Sequence, residues 1–226
     1  MEKNQISDAL AQAKENSPKR NFKQTIDLII NLKNIDAKKA EHQVDVFVSL
    51  PYSKGRKIKI CALIGPELEE AAKKTCDKYI LSDEFQKYQK NQIKKLANEF
   101  DYFIAQANIM AKIATSFGRI FGPRGKMPNP KAGCVVPPNA NLASLCERLQ
   151  KTIRVSSKSA PILQCAVGTE EMDANEIADN VLSVYNTILP LLPNEKNNIK
   201  NVQLKLTMGK PVKISDKKQE IKKKRH

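Results

Sequence analysis

Apolar residues keep two different rhythms along this chain, and the change of rhythm dictates how many kinds of sheet the fold must contain. From Thr25 to Leu32, the residues Ile26, Leu28, Ile30 and Leu32 alternate with Thr25, Asp27 and Asn31, the period-two pattern of a strand with one buried face. Val44, Val46, Val48 and Leu50 repeat it up to Pro51, and these two strands are expected to pair antiparallel with one face open to solvent. After Tyr52-Ser53-Lys54-Gly55-Arg56-Lys57 the alternation gives way to a nearly continuous apolar run, Ile58 to Ile64, followed by Gly65-Pro66-Glu67 and a helical stretch. A strand that is apolar on both faces is buried on both, as in a parallel sheet covered by helices.

The middle of the chain keeps the second rhythm. Tyr79-Ile80-Leu81 leads into Ser82 as an N-cap and a helix to about Asn98. Tyr102-Phe103-Ile104-Ala105 is the next strand, and Ile109, Ile113 and Phe117 mark a helix whose end suits Gly118. Cys134-Val135-Val136 is a short strand, and Leu142, Leu145, Cys146 and Leu149 share one helical face. The order βαβαβα predicts an open doubly wound sheet.

On either side the first rhythm holds. Ile6, Leu10 and Ala13 form a helix ending before Ser17-Pro18, while Ile153 to Val155 and Pro161 to Val167 read as strands. Asp173-Ala174-Asn175-Glu176 reads as a capping box opening a helix with Ile177, Val181, Val184, Tyr185 and Ile188 on one side, ended by Pro190. Val202, Leu204 and Leu206 make a last strand running into Thr207-Met208-Gly209. The expected fold class is therefore α/β in two domains. Residues 1–53 and 152–226 form a discontinuous α+β sandwich domain, and residues 54–151 an inserted Rossmann-like three-layer α/β/α domain. The two chain crossings form a natural hinge.

Charge narrows the partner. Thirty-nine Lys and Arg against 24 Asp and Glu leave +15, which points to a polyanion. No Trp and 5% aromatic residues supply few stacking platforms, so recognition of backbone and shape fits better than single-strand binding. Lys19, Arg20, Lys23, Lys205, Lys210 and Lys213 lie in or beside the terminal-domain strands, where they reach phosphates, and Asp216 to His226 reads as a basic tail. The five cysteines are odd in number and widely spaced, none in CxxC spacing, and His42 and His226 are the only histidines. They read as buried free thiols in a reducing, cytoplasmic compartment, with no zinc site. No apolar run approaches the ~20 residues of a membrane span.

The stretch from Phe121 to Gly133, FGPRGKMPNPKAG, packs three glycines, three prolines and three cations into an irregular loop with a heavily specified backbone. It fails as a phosphate-binding P-loop, because Ile120 and Met127 stand where Gly and Ser or Thr are needed. Ile64-Gly65-Pro66 lacks the spacing of a dinucleotide fingerprint, and the acidic clusters sit at helix starts, where they complement the dipole. No catalytic constellation, metal site or cofactor is expected. Thr207-Met208-Gly209 sets an apolar side chain beside a hydroxyl and a Gly that a partner backbone could approach closely.

Three stretches resemble the universal large-subunit ribosomal protein one family, which forms the base of the mobile L-one stalk. Phe22-Lys23-Gln24-Thr25-Ile26-Asp27-Leu28 resembles its Phe-x-x-Thr-hydrophobic-acidic strand, Ile120 to Gly133 its hallmark loop, and Thr207-Met208-Gly209 its C-terminal strand end. The resemblance runs over nearly the whole chain except the tail, and Lys210-Pro211 gives the edge an archaeal-like character. It implies a non-enzymatic constituent of the large subunit, a monomer when free, that binds large-subunit ribosomal RNA near the tRNA exit site, aids release of exiting tRNA and represses its own mRNA. The implied RNA-binding residues are Phe22, Thr25, Gly168, Thr207, Met208 and Gly209, with Lys23, Lys205 and Lys210 supplying charge. Departures occur at Asn21 and Asn201, where many relatives carry Lys and Ser, and at Thr169, where bacterial members usually carry Lys. A free mRNA-binding regulator and a nucleotide-using α/β enzyme are the alternatives. For Arg124, Lys126 and Lys131 of the loop, two roles stand side by side: facing tRNA, or stabilising the inserted domain.

Overall fold

A computed structural model describes residues 1–35, 42–157 and 160–214, so the basic segment from Asp216 to His226 lies outside the described residues. The elements in chain order are α1 (Lys3–Glu15), β1 (Thr25–Leu32), β2 (Asp45–Ser49), β3 (Ile60–Ile64), α2 (Glu69–Thr75), β4 (Lys78–Leu81), α3 (Lys90–Glu99), β5 (Tyr102–Gln106), α4 (Met110–Phe121), β6 (Val135–Val136), α5 (Leu142–Gln150), β7 (Thr152–Ser156), β8 (Ile162–Thr169), α6 (Ala174–Ile188), β9 (Ile199–Leu206) and β10 (Val212–Lys213). They separate into two compact units, Met1–Arg56 with the chain from Lys151, and Lys57–Gln150.

In the first unit, Ile26, Leu28, Ile30 and Leu32 are all buried and their neighbours half-buried, as the alternation of β1 requires. Its pairing differs from expectation. β1 does not pair with β2 but lies between β8 and β9, antiparallel to both, in a sheet of order β10-β9-β1-β8. With both edges of β1 occupied, β2 pairs instead with β7. There Arg154 donates two hydrogen bonds of 2.8 Å to the Asp45 carboxylate and lies 5.7 Å over the Phe47 ring. Alternation fixes the face a strand buries, whereas the neighbouring strand is chosen by the whole core.

Helices α1 and α6 pack on each other and cover the buried face, Ile6, Leu10, Ile177, Val181 and Val184 meeting Ile26, Leu28 and Ile30 in one cluster. Asp173 stands at the N-cap of α6 with extended backbone, but its side chain makes no capping hydrogen bond, so the expected capping box is not formed. Burial of the apolar stripe holds this helix.

On the opposite face the Asn31 amide donates to Asn201 Oδ1, and Asp27 faces Lys205 across the ladder. Burial raises the Asp27 carboxyl above its ordinary value, and the attraction of Lys205 offsets only part of that. A carboxyl raised in the folded state favours folding at low pH and loses that contribution as pH rises through its folded value. Asp27→Asn is therefore expected to raise the thermal midpoint at neutral pH and to leave it unchanged near about pH 3, below the ordinary Asp value.

The second unit contains a wholly parallel sheet of order β4-β3-β5-β6, in which every residue of β3 is buried. An aromatic cluster fills one side, with ring centroids 4.3 Å apart for Phe103 and Phe121, 5.2 Å for Phe85 and Phe117, and 5.4 Å for Phe117 and Phe121. The helix expected from Ser82 to Asn98 is two pieces, a 3₁₀ segment Ser82–Lys87 and then α3. Phe85, 2% exposed, turns into the core edge-on to Phe117, and the helix restarts where the Gln89 N–H donates to Gln92 Oε1. Gly118 lies inside α4 rather than at its end, because burial of Phe121 carries the helix one turn further. Gly122 is the C-cap, and a Cβ there would stand 2.8 Å from the Gly118 carbonyl oxygen.

Candidate nucleic-acid interface

Antiparallel pairing brings the start of β1 and the ends of β8 and β9 to one end of the sheet. At that end Thr25 and Thr207, 182 residues apart, are interlocked. The Thr25 N–H donates to Thr207 Oγ1 (3.2 Å), while the Thr207 hydroxyl (3.1 Å) and N–H (3.0 Å) both donate to the Thr25 carbonyl. The Gly209 N–H then donates to the Leu206 carbonyl (2.9 Å), closing a turn that presents Met208 at 58% exposure. Phe22, just upstream of Thr25, is 52% exposed. Leaving side chains of this size in water forgoes roughly 1.5–3 kcal/mol each, which makes this sheet end the candidate contact surface.

Gln24 braces this end of the sheet, and nothing in the sequence singled it out. It is 2% exposed and fully engaged. Its Oε1 accepts the Met208 N–H (3.3 Å), and its Nε2 donates to Ser17 Oγ (3.4 Å). Its backbone N–H donates to Glu170 Oε1 (3.1 Å), and its carbonyl accepts the Glu170 N–H (3.0 Å). One side chain thus ties the Met208 turn to the loop after α1, and the backbone beside it holds the end of β8. Gln24→Leu strands the Met208 N–H and the Ser17 hydroxyl, and a loss of about 1–3 kcal/mol in urea denaturation is expected.

The two glycines serve the interior. Gly168 is buried opposite Ile26, and a Cβ there would stand 3.1 Å from Ile177 Cγ1 and 3.2 Å from Met172 Sδ, so its bareness admits α6 and Met172 beneath the surface. A Cβ on Gly209 would stand 3.2 Å from Ser17 Oγ, so the close approach expected there is made by the chain's own Ser17. Lys23 Nζ lies 2.8 Å from Glu171 Oε2, with both side chains more than half exposed. Such a pair is worth little and is readily exchanged for a phosphate. Lys205 is half-buried opposite Asp27, and Lys210 is exposed directly after the turn.

The proline- and glycine-rich loop belongs to the second unit, and two of its three cations are used internally. Arg124 Nη1 donates to the Lys94 carbonyl (3.2 Å) and to Asn98 Oδ1, and Lys126 Nζ donates to the carbonyls of Phe100 (3.0 Å) and Asp101 (3.1 Å). Asn98, Phe100 and Asp101 lie in and just beyond the last turn of α3, where cations complement the dipole. Lys131 is exposed, and its backbone N–H donates to Asn129 Oδ1 (2.9 Å). Gly133 has φ +73° and would place a Cβ 2.0 Å from Arg148 Nη2, so any side chain there displaces the arginine.

A doubly wound sheet offers ligands the crevice beyond its strand ends where the order reverses, here between β3 and β5. Gln106, fully buried, fills it. Its Oε1 accepts the Gly65 N–H (2.8 Å) and its Nε2 donates to Glu67 Oε2 (2.7 Å). The amide that would greet a phosphate is already bonded, and a carboxylate stands beside it.

The sequence profile of the ribosomal protein L1p/L10e family matches residues 12–210, a span that contains Gln24, Thr25, the loop and the Met208 turn. Over 92% of its length the chain is 41% identical to the large ribosomal subunit protein uL1 of Nanoarchaeum equitans, covering 98% of that protein. The uL1 proteins of Thermococcus kodakarensis (38% identity, 94% of this chain and 98% of the relative) and Methanothermococcus thermolithotrophicus (38%, 95% and 99%) align over similar spans. The chain belongs to the ribosomal protein L1p/L10e family.

Proposed function

We propose that the protein is a non-enzymatic constituent of the large ribosomal subunit that binds ribosomal RNA through the sheet end built from Phe22, Thr25, Thr207, Met208 and Gly209. Family membership supports the ribosomal role, and the exposed Met208 turn held by Gln24 and the Thr25–Thr207 interlock is the observation that carries the surface. A preformed turn binds without first being ordered, and its apolar tip packs into a shaped RNA groove. Lys23, Lys205 and Lys210 add a salt-sensitive attraction to phosphates. The first unit carries this surface, and the second is inserted into it. On the ribosome the protein stands at the mobile stalk near the tRNA exit site and assists tRNA release, and off it the same surface takes the chain's own mRNA. Gln106 and Glu67 in the crevice of the second unit argue against nucleotide-dependent catalysis.

Tagged protein in cell extract is expected to sediment with large subunits and to crosslink to large-subunit ribosomal RNA through residues of the sheet end. Sedimentation only as a separate complex with mRNA would replace this reading by that of a free regulator.

A further inference from the structure

We infer that Cys76 and Cys146 form a dithiol site that a small disulfide of the glutathione class closes to an intramolecular disulfide, tying α2 to α5. The two residues lie on different helices of the second unit, yet their Sγ atoms are 3.8 Å apart, in direct contact. Cys76 is the residue that ends α2 and is half-buried, within reach of a reagent. Cys146 lies behind it, 8% exposed, on the apolar face of α5 with Leu142, Leu145 and Leu149. Helices α2 and α5 pack on each other, so backbone positions are already close. A disulfide needs its sulfurs about 2 Å apart, so forming it draws the two sulfurs together from the contact they already make.

The five cysteines are not equivalent. Burial pushes Cys61 up to about 12, Cys134 to about 11 and Cys165 to about 12, so all three remain protonated thiols. Cys76 moves the other way, because Cys146 and Thr75 hydrogen-bond to its sulfur, with the Asp77 carboxylate and burial opposing. Its partner's thiol is raised, chiefly by the same hydrogen bond and by burial. The attacking and the resolving thiol are thereby distinguished.

The Cys76 thiolate attacks one sulfur of the small disulfide and expels the first small thiolate, leaving a mixed disulfide on Cys76. Cys146 then gives up its proton and attacks Cys76 Sγ, expelling the second. Two protein thiols and one small disulfide become one protein disulfide and two small thiols, with two electrons passed to the reagent.

The full chain is incubated with oxidised glutathione, quenched with acid, alkylated in denaturant so that every remaining thiol is accessible, and read by intact mass and peptide mapping. The expected product has lost two hydrogens, carries one link between the Cys76 and Cys146 peptides, and is alkylated at the other three cysteines. Cys146→Ser is expected to stop as a glutathione adduct on Cys76, and Cys76→Ser to lose the reaction at Cys146. Wild-type protein that keeps five alkylatable thiols, a link through any other cysteine, or a Cys146→Ser variant with no adduct on Cys76 would overturn the assignment.

Discussion

Met208→Asp is expected to weaken binding of the large-subunit ribosomal RNA fragment about a hundredfold, the ~3 kcal/mol range of an apolar anchor at the centre of a contact. Fold stability is expected to be unchanged, because the side chain is more than half in water and the backbone N–H held by Gln24 remains. The substitution replaces an apolar tip by an anion facing phosphates, so it removes packing and adds repulsion together. Lys210→Gln provides the contrast: removal of one phosphate contact weakens binding to all RNAs alike and lowers the salt slope by about one. Titration of the fragment at several salt concentrations separates the two effects. Affinity unchanged by Met208→Asp would remove the Met208 turn from the interface.

The second large effect lies in the other unit. Phe117 is fully buried between Phe85 and Phe121, and Phe117→Ala is expected to cost about 3–5 kcal/mol, the usual penalty for emptying a core aromatic site. For a unit of this size the melting midpoint falls by roughly 15 °C or more. Since the proposed RNA surface belongs entirely to the first unit, affinity for the fragment at 25 °C is expected to stay within about twofold, the ordinary scale for distant, independent sites. Calorimetry with and without RNA checks both halves. Affinity that falls with the second unit's stability would show that the RNA surface extends beyond the first.

Much of the fold is legible in the sequence, for reasons visible in particular residues. Ile26, Leu28, Ile30 and Leu32 announced β1 because a helix-covered face punishes any other spacing, and the unbroken run ending in Ile64 announced a parallel strand because both its faces are covered. Legibility stopped where a choice depended on distant residues. The partners of β1 follow from helices packed beneath it, the break before α3 from the pull of Phe85 into an aromatic cluster, and the two-residue β10 from pairing with β9 alone. At the candidate interface Thr207 and Met208 stood out through their chemistry and their family likeness. Gln24 did not, because its signal is carried by partners 146 and 184 residues away. For Arg124 and Lys126 the letters allowed two roles, facing tRNA or stabilising the inserted domain, and the hydrogen bonds of both side chains to α3 and the residues just after it favour the second.

The central place of β1 also orders events in time. Its two hydrogen-bonded neighbours, β8 and β9, both lie downstream of Lys57–Gln150, so on a growing chain β1 emerges with no strand to join. Lys57–Gln150 is contiguous and carries all four strands of its own sheet, so it closes first. The sheet end that gathers Phe22, Gln24 and Met208 can form only after β9 and the turn that follows it have been synthesised. A truncated chain lacking β9 has no Thr207 to lock Thr25 and no Met208 turn to present, so this sheet end depends on residues from both sides of the inserted unit.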